Sequence, residues 1–237
     1  MTAQRTTLVT DYGSPLFAAL RDACRPEWDA YVRHPFVTRL GDGTLPREAF
    51  LHYLRQDYLF LRHFARAWAL AAAKADRIEE IQRAAATVHH LIAEGLGLHV
   101  ETCAAAGIDR EALEATEESA ATLAYTRFVI DAGLRGDLLD LLAALIPCVL
   151  GYGEIGLALA DERAPDTPYA EWIEAYGSED YQSACREAAA FLQSVADRRI
   201  GATPAAEPRW PDLAANFRIA CRLEADFWAA GLAAGEA

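Results

Sequence analysis

The sequence lacks any paired arrangement of cysteines. Its five cysteines (Cys24, Cys103, Cys148, Cys185 and Cys221) are scattered, odd in number and form no CxxC pair. Such spacing indicates neither a disulfide framework nor a zinc site. In a reducing compartment all five are expected as free thiols. Positive charge is also scarce. There are 22 Lys and Arg against 35 Asp and Glu, for a formal net charge of −13, and no basic cluster offsets it. Nucleic acid and anionic membrane surfaces are normally held by basic patches, so neither is an expected partner. The N-terminal stretch MTAQRTTLVTDYGSP has no apolar signal core. Asp137 and Asp140 interrupt the most apolar region, so no stretch is expected to reach the length of a membrane span. The expectation is a soluble, cytoplasmic protein. Runs of alternating β-branched residues, internal repeats and long linkers are missing as well.

What is present is helix-forming. The 237 residues are 53% hydrophobic, enough for one sizeable core and rather long for two. Ala, Leu, Glu and Arg dominate. SPLFAALRDACRPEWDAYVRH reads as a helix with a serine cap and a bend at Pro26. HPFVTRLGDGTLP reads as a connection, with Thr44 and Pro46 capping and opening the next helix. REAFLHYLRQDYLFLRHFARAWALAAAKA is one long helix. RIEEIQRAAATVHHLIAEGLGLHVETCAAAG reads as another. Helices are further expected over about 117–135, 137–163, TPYAEWIEAYG, SEDYQSACREAAAFLQSVADRR and about 211–234, and GATPAAEPRWP is the clearest loop. The expected architecture is a single all-α domain over residues 1–237, a multi-helix bundle larger than four helices.

Three stretches carry residues suited to chemistry. In LAALIPCVLGYGEI, Cys148 and Tyr152 are i and i+4 on one helix face, where a phenol could bond a thiolate or a ligand. The plainer reading is an inert core thiol. Pro147 frees a carbonyl and bends the axis. In CRLEADFWAAG, Glu224, Phe227 and Trp228 share a face. A carboxylate among rings is desolvated and its pKa rises, as a general acid requires. A surface glutamate beside a core stripe is the alternative. Asp57 falls on the apolar face of its helix with Phe50, Tyr53, Leu54, Tyr58, Leu61 and Phe64. It needs a cation, a metal or a ligand donor, or a structural bond between helices. Arg55, Arg62 and His63 are near in sequence but mostly point elsewhere. His89, His90, Glu94 and His99 lie on one predicted helix. Glu94 and His99 are about 140° apart on it, a poor metal pair, and Glu-x-x-His does not occur, so no metal is expected.

Taken together these stretches resemble the TenA (thiaminase II) family over nearly the whole chain. The resemblance rests on the order of HPFV, GTLP, QDY, AEGLGLH, TRFV preceded by Tyr125, PCxxxY, YxxWIxxY and ExxFW. It implies a haem-oxygenase-like all-α fold. It implies hydrolysis of 4-amino-5-aminomethyl-2-methylpyrimidine, a thiamine breakdown product, to the 5-hydroxymethyl compound and ammonia, and cleavage of thiamine itself. Neither metal nor organic cofactor is implied. By motif, Cys148 is similar to the family nucleophile, Glu224 to its acid/base and Asp57 to the carboxylate on the pyrimidine. Tyr125, Tyr152, Tyr176 and Phe227 are similar to its pocket walls. Many members carry a tyrosine three residues after the aspartate, whose hydroxyl helps activate the cysteine. Here the residue is Phe60, so the resemblance implies a substrate-binding ring that stacks on the pyrimidine without a hydrogen bond to sulfur, and Tyr58, rotated by about 200°, does not replace the missing hydroxyl. The family also implies a homotetramer. Three alternatives stand beside this reading: a hydrolase of a related aminopyrimidine, a haem-oxygenase-like di-metal oxidase, and a non-catalytic pyrimidine-binding protein.

Overall fold

The computed structural model describes residues 11–201 and 204–236. The expectation of no signal core falls mainly on residues 1–10, outside the described residues. Ala202 and Thr203 of the expected loop, and the side chain of Glu94, are outside them too. Among the described residues the chain folds into twelve α-helices and no strand.

The first three helices are short: α1 (Pro15–Ala23), α2 (Arg25–Val32) and α3 (Pro35–Asp42). The expected single helix with a bend at Pro26 is in fact α1 and α2. Pro26 sits in the first turn of α2, where its missing N–H costs nothing. The expected connection at HPFVTRLGDGTLP contains α3, opened by Pro35 and capped by the His34 ring, which accepts the Phe36 N–H at 3.2 Å. Thr44 does not cap the following helix. Its N–H and hydroxyl both turn back to the Asp42 carboxylate, at 2.9 and 2.6 Å.

The long helix α4 (Arg47–Lys74) runs as expected and buries Tyr53, Asp57, Phe60, Phe64 and Trp68. The next expected helix is broken. It consists of α5 (Ile78–His90), a π-helical turn at Leu91–Gly95 and α6 (Gly97–Ala105), followed by the short α7 (Arg110–Glu114). Then come α8 (Ala120–Arg135), α9 (Leu138–Glu162), α10 (Ala170–Gly177), α11 (Glu179–Arg199) and α12 (Trp210–Ala234).

Helix α9 is the axis of the fold and packs against α12, α10, α11, α8, α4 and α2. Asp137 and Asp140 do not interrupt the apolar region but start this helix. The Asp137 carboxylate accepts the Leu139 and Asp140 N–H groups, and Asp140 accepts the Asp137 N–H, a reciprocal capping box. Burial disfavours the Asp137 charge, but Arg209 and Arg199 outweigh it and hold the carboxyl well below its usual range. One expectation is thereby corrected. By length and composition α9 could cross a membrane, with a mean hydropathy of 1.8 over its richest window. That window is 72% buried against other helices, as in the core helix of a bundle. Trp28, Trp68, Trp172 and Trp228, each at most 2% exposed, pack in the core that surrounds it.

Candidate active site

Two close approaches to α9 shape the site. Gly156 meets the backbone of α10, where a Cβ would lie 2.4 Å from the Tyr176 carbonyl carbon. Gly151 meets the Tyr31 ring of α2, where a Cβ would lie 2.2 Å from Cε1. Any side chain at either position would push a neighbour away. The glycines of PCVLGYGEIG thus let α10 and α2 close on the segment that carries Cys148. Beside it opens a cavity of about 940 Å³. Asp57, His99, Cys148, Tyr152 and Tyr176 line it, with Trp68 and Phe191 among its apolar walls.

Asp57 is 4% exposed and finds its partners across helices. Its Oδ2 lies 2.6 Å from His99 Nε2 and accepts the Tyr53 hydroxyl at 3.1 Å. The Tyr53 oxygen in turn accepts the Trp172 indole N–H at 3.1 Å. The cations nearest in sequence are indeed turned away. Arg55 donates to the Leu51 carbonyl, and His63 pairs with Glu118. His99 is the partner that a straight-helix projection misses. The π turn changes the register between α5 and α6 and delivers His99, 1% exposed, to Asp57.

Glu224 lies on α12 and is 2% exposed. The Tyr125 hydroxyl donates to its Oε1 at 2.8 Å. Burial pushes the carboxyl up to about 8, with Asp57 acting in the same direction; bonds from Tyr125 and Cys148 oppose the rise only in part. Cys148 is the partly exposed cysteine, while the other four are buried. Burial, then the charges of Glu224 and Asp57, push its thiol well above the usual range. A thiol, a carboxyl kept protonated near neutrality and a fixed carboxylate therefore stand together. Such a group can add a nucleophile, protonate a leaving group and anchor a polar ring.

The aromatic residues divide into two sets. Tyr152 and Tyr176 line the cavity with ring centroids 4.9 Å apart, and both phenols interact with Tyr53. Phe60, Tyr125 and Phe227 are buried on the Glu224 side, and they and Glu224 stand behind the residues that line the cavity, with Cys148 between. Phe60 packs 4.8 Å from Tyr125 and 6.0 Å from Phe227, ring to ring. Among the described residues no group of three or more His, Cys, Asp or Glu is placed to hold a metal ion.

The family model described as TENA/THI-4/PQQC matches residues 21–234. The chain belongs to this family. An aminopyrimidine aminohydrolase of Halalkalibacterium halodurans is 36% identical over 213 residues, 89% of this chain and 92% of the relative. An uncharacterized protein of Haemophilus influenzae is 38% identical over 210 residues, 88% of this chain and 94% of the relative. Among solved structures, a TenA family transcription regulator from Silicibacter sp. TM1040 aligns with a TM-score of 0.91 at 51% identity, covering 94% of this chain and 99% of that one. A Shewanella denitrificans domain with a heme oxygenase-like fold aligns with a TM-score of 0.69 at 17% identity, covering 90% of each chain. The fold of this TENA/THI-4/PQQC member is the haem-oxygenase-like one.

Proposed function

We propose that this chain hydrolyses 4-amino-5-aminomethyl-2-methylpyrimidine to 4-amino-5-hydroxymethyl-2-methylpyrimidine and ammonia, a thiamine-salvage reaction, and splits thiamine by the same route. One observation carries the reading. The partly exposed Cys148 stands between Asp57, in the same cavity, and Glu224, whose carboxyl is raised to about 8. The aminohydrolase name of two relatives, at 36% and 29% identity, supports it.

In this reading Asp57 binds a ring nitrogen and the exocyclic amine of the pyrimidine. His99 and Tyr53 fix its Oδ2 from the other side. Cys148 sulfur adds to a ring carbon, and its proton passes by way of Asp57 to the ring nitrogen. Aromaticity is broken, and the ring electrons expel the amine from the 5-methylene as Glu224 gives it a proton. Water then adds to the exocyclic methylene and returns a proton to Glu224. The ring nitrogen gives up its proton, the carbon–sulfur bond breaks and the thiol is restored. The sum is substrate plus water to alcohol plus ammonia. Ring protonation supplies the activation, so the route calls on neither metal nor organic cofactor. Tyr152 and Tyr176 wall the ring, and Tyr125, Phe60 and Phe227 keep Glu224 dry.

A second reading is a hydrolase of the same mechanism acting on a larger 5-substituted aminopyrimidine. The cavity of about 940 Å³ favours it, because that volume is near the upper end for small-molecule sites. Ammonia release and product mass over a panel of 5-substituted pyrimidines separate the two. Binding without turnover across the panel would leave only a pyrimidine-binding role. We also infer a cytoplasmic homotetramer. The family resemblance supports an assembly, and light scattering at micromolar concentration tests it.

A further inference from the structure

Tyr31 lies on α2 and is 0% exposed, and its hydroxyl makes no hydrogen bond among the described residues. A buried polar group left unpaired costs stability and asks for a reason. Its position supplies one. The ring is held edge-on by Trp28 at 5.8 Å and leans toward Tyr152 at 6.4 Å. On the other side it presses on Gly151, where a Cβ would lie 2.6 Å from the hydroxyl oxygen. Gly151 comes three residues after Cys148 on α9. Residues so spaced on a helix have Cβ positions about 5–6 Å apart on one face. The Tyr31 hydroxyl therefore stands one helical turn from Cys148. After burial, the charges of Glu224 and Cys148 are the main influences that raise its own pKa, so it faces both groups.

We propose that the Tyr31 hydroxyl is the hydrogen-bond donor that meets the negative charge on Cys148 sulfur when the thiolate forms. The proposal rests on the reading of Cys148 as nucleophile. The phenol keeps its proton throughout, and no covalent bond to Tyr31 forms or breaks. The hydroxyl is idle at rest and engaged only when charge develops. A donor used that way stabilises the charged state more than the ground state, which is what accelerates a step. Among the described residues the indole N–H groups of Trp68 and Trp228 are unpaired too, but neither side chain packs on the turn of α9 next to Cys148 as Tyr31 does at Gly151, and the other aromatic neighbours lack a free hydroxyl. Phe60 has no hydroxyl, Tyr125 is committed to Glu224 and Tyr181 to the Val149 carbonyl. The titratable groups facing Cys148 are Glu224 on α12, Asp57 on α4, Cys185 and Tyr181 on α11, Tyr125 on α8 and Tyr176 on α10. None of them is altered by the test.

The test is Tyr31→Phe, read by melting temperature, by kinetics on 4-amino-5-aminomethyl-2-methylpyrimidine and by the pH dependence of Cys148 alkylation with iodoacetamide. Removing an unsatisfied hydroxyl should leave the melting temperature unchanged or raise it. The kcat should fall about ten- to a hundredfold, as for loss of a transition-state donor. KM should hold within about twofold. The alkylation midpoint should move to higher pH. An unchanged kcat or a superimposable alkylation profile would overturn the proposal. So would a rise in KM with kcat held, which would put the hydroxyl on the substrate. A fall in melting temperature would overturn it too, by giving the hydroxyl a structural partner. If the parent released no ammonia at all, the proposed reaction would fail, and the alkylation profile alone would still decide the contact between Tyr31 and Cys148.

Discussion

His99 Nε2 lies 2.6 Å from Asp57 Oδ2, and the two residues are 42 positions apart, Asp57 on α4 and His99 on α6 just beyond the π turn that follows α5. Among the described residues the His99 ring has no partner on Nδ1. A neutral ring with its proton on Nε2 leaves only a lone pair unpaired there, whereas an imidazolium would strand a buried N–H. The geometry therefore favours a neutral donor that fixes Oδ2 and leaves the rest of the carboxylate to the cavity.

His99→Leu should remove that donor and destabilise the fold by about 1.5–3 kcal/mol, the range for a hydrogen bond to a charged group. His99→Gln places an amide N–H where Nε2–H stood and should recover at least half of the loss. Urea denaturation measures both. Equal losses in the two variants would mean that packing, not the bond to Asp57, is what His99 provides.

Glu224 makes stability depend on pH in a definite direction. Its carboxyl is raised from 4.5 to about 8, chiefly by burial. Below the lower value both folded and unfolded chains hold the proton, and the group costs nothing. Between the two values the unfolded chain loses the proton and the folded chain keeps it, so stability falls as pH rises. Beyond about 8 the fall levels off. Glu224→Gln should abolish this slope. Denaturation midpoints of parent and variant, followed from about pH 5 to about pH 9, should diverge steadily up to the folded pKa. Parallel midpoints would mean that Glu224 titrates normally.

Much of this arrangement could be read from the sequence, and the failures share one cause. Asp57 announced itself as a carboxylate on an apolar face, and Glu224 as one among rings, because both follow from the 3.6-residue period of an uninterrupted helix. Cys148 and Tyr152 did share a face. The partner of Asp57 was hidden because the projection ran straight through Leu91–Gly95, where the helix widens into a π turn. The π turn, the helix at Pro35–Asp42 and the break at Cys24 are settled by tertiary packing and capping that periodicity does not encode. Tyr31 gave no signal either. Only the small size of Gly151, seen together with the fold, shows why its phenol reaches the site.

Gly156→Ala should disturb the site through the backbone. Its Cβ would meet the Tyr176 carbonyl carbon at 2.4 Å and force α10 outward with Trp172 and Tyr176. Overpacking of this kind costs about 1–3 kcal/mol. A melting temperature equal to that of the parent would show that α10 yields freely.

Phe60→Tyr adds a hydroxyl to the aromatic wall beside Tyr125. If it reaches the sulfur, Cys148 should alkylate at lower pH than in the parent, with a smaller gain in rate because a stabilised thiolate is a weaker nucleophile. Identical alkylation profiles would place position 60 out of reach and leave the reactivity of the thiol to its other neighbours.

The central claim is that Cys148 attacks the substrate. Its most direct test is ammonia release from 4-amino-5-aminomethyl-2-methylpyrimidine by the parent and by Cys148→Ser, with folding checked by circular dichroism. The parent should release one ammonia per substrate, and the folded serine variant should lose nearly all turnover, because an alcohol is a far weaker acid and a far weaker nucleophile than a thiol in the same site. A serine variant that turns over at the parent rate would contradict the covalent mechanism.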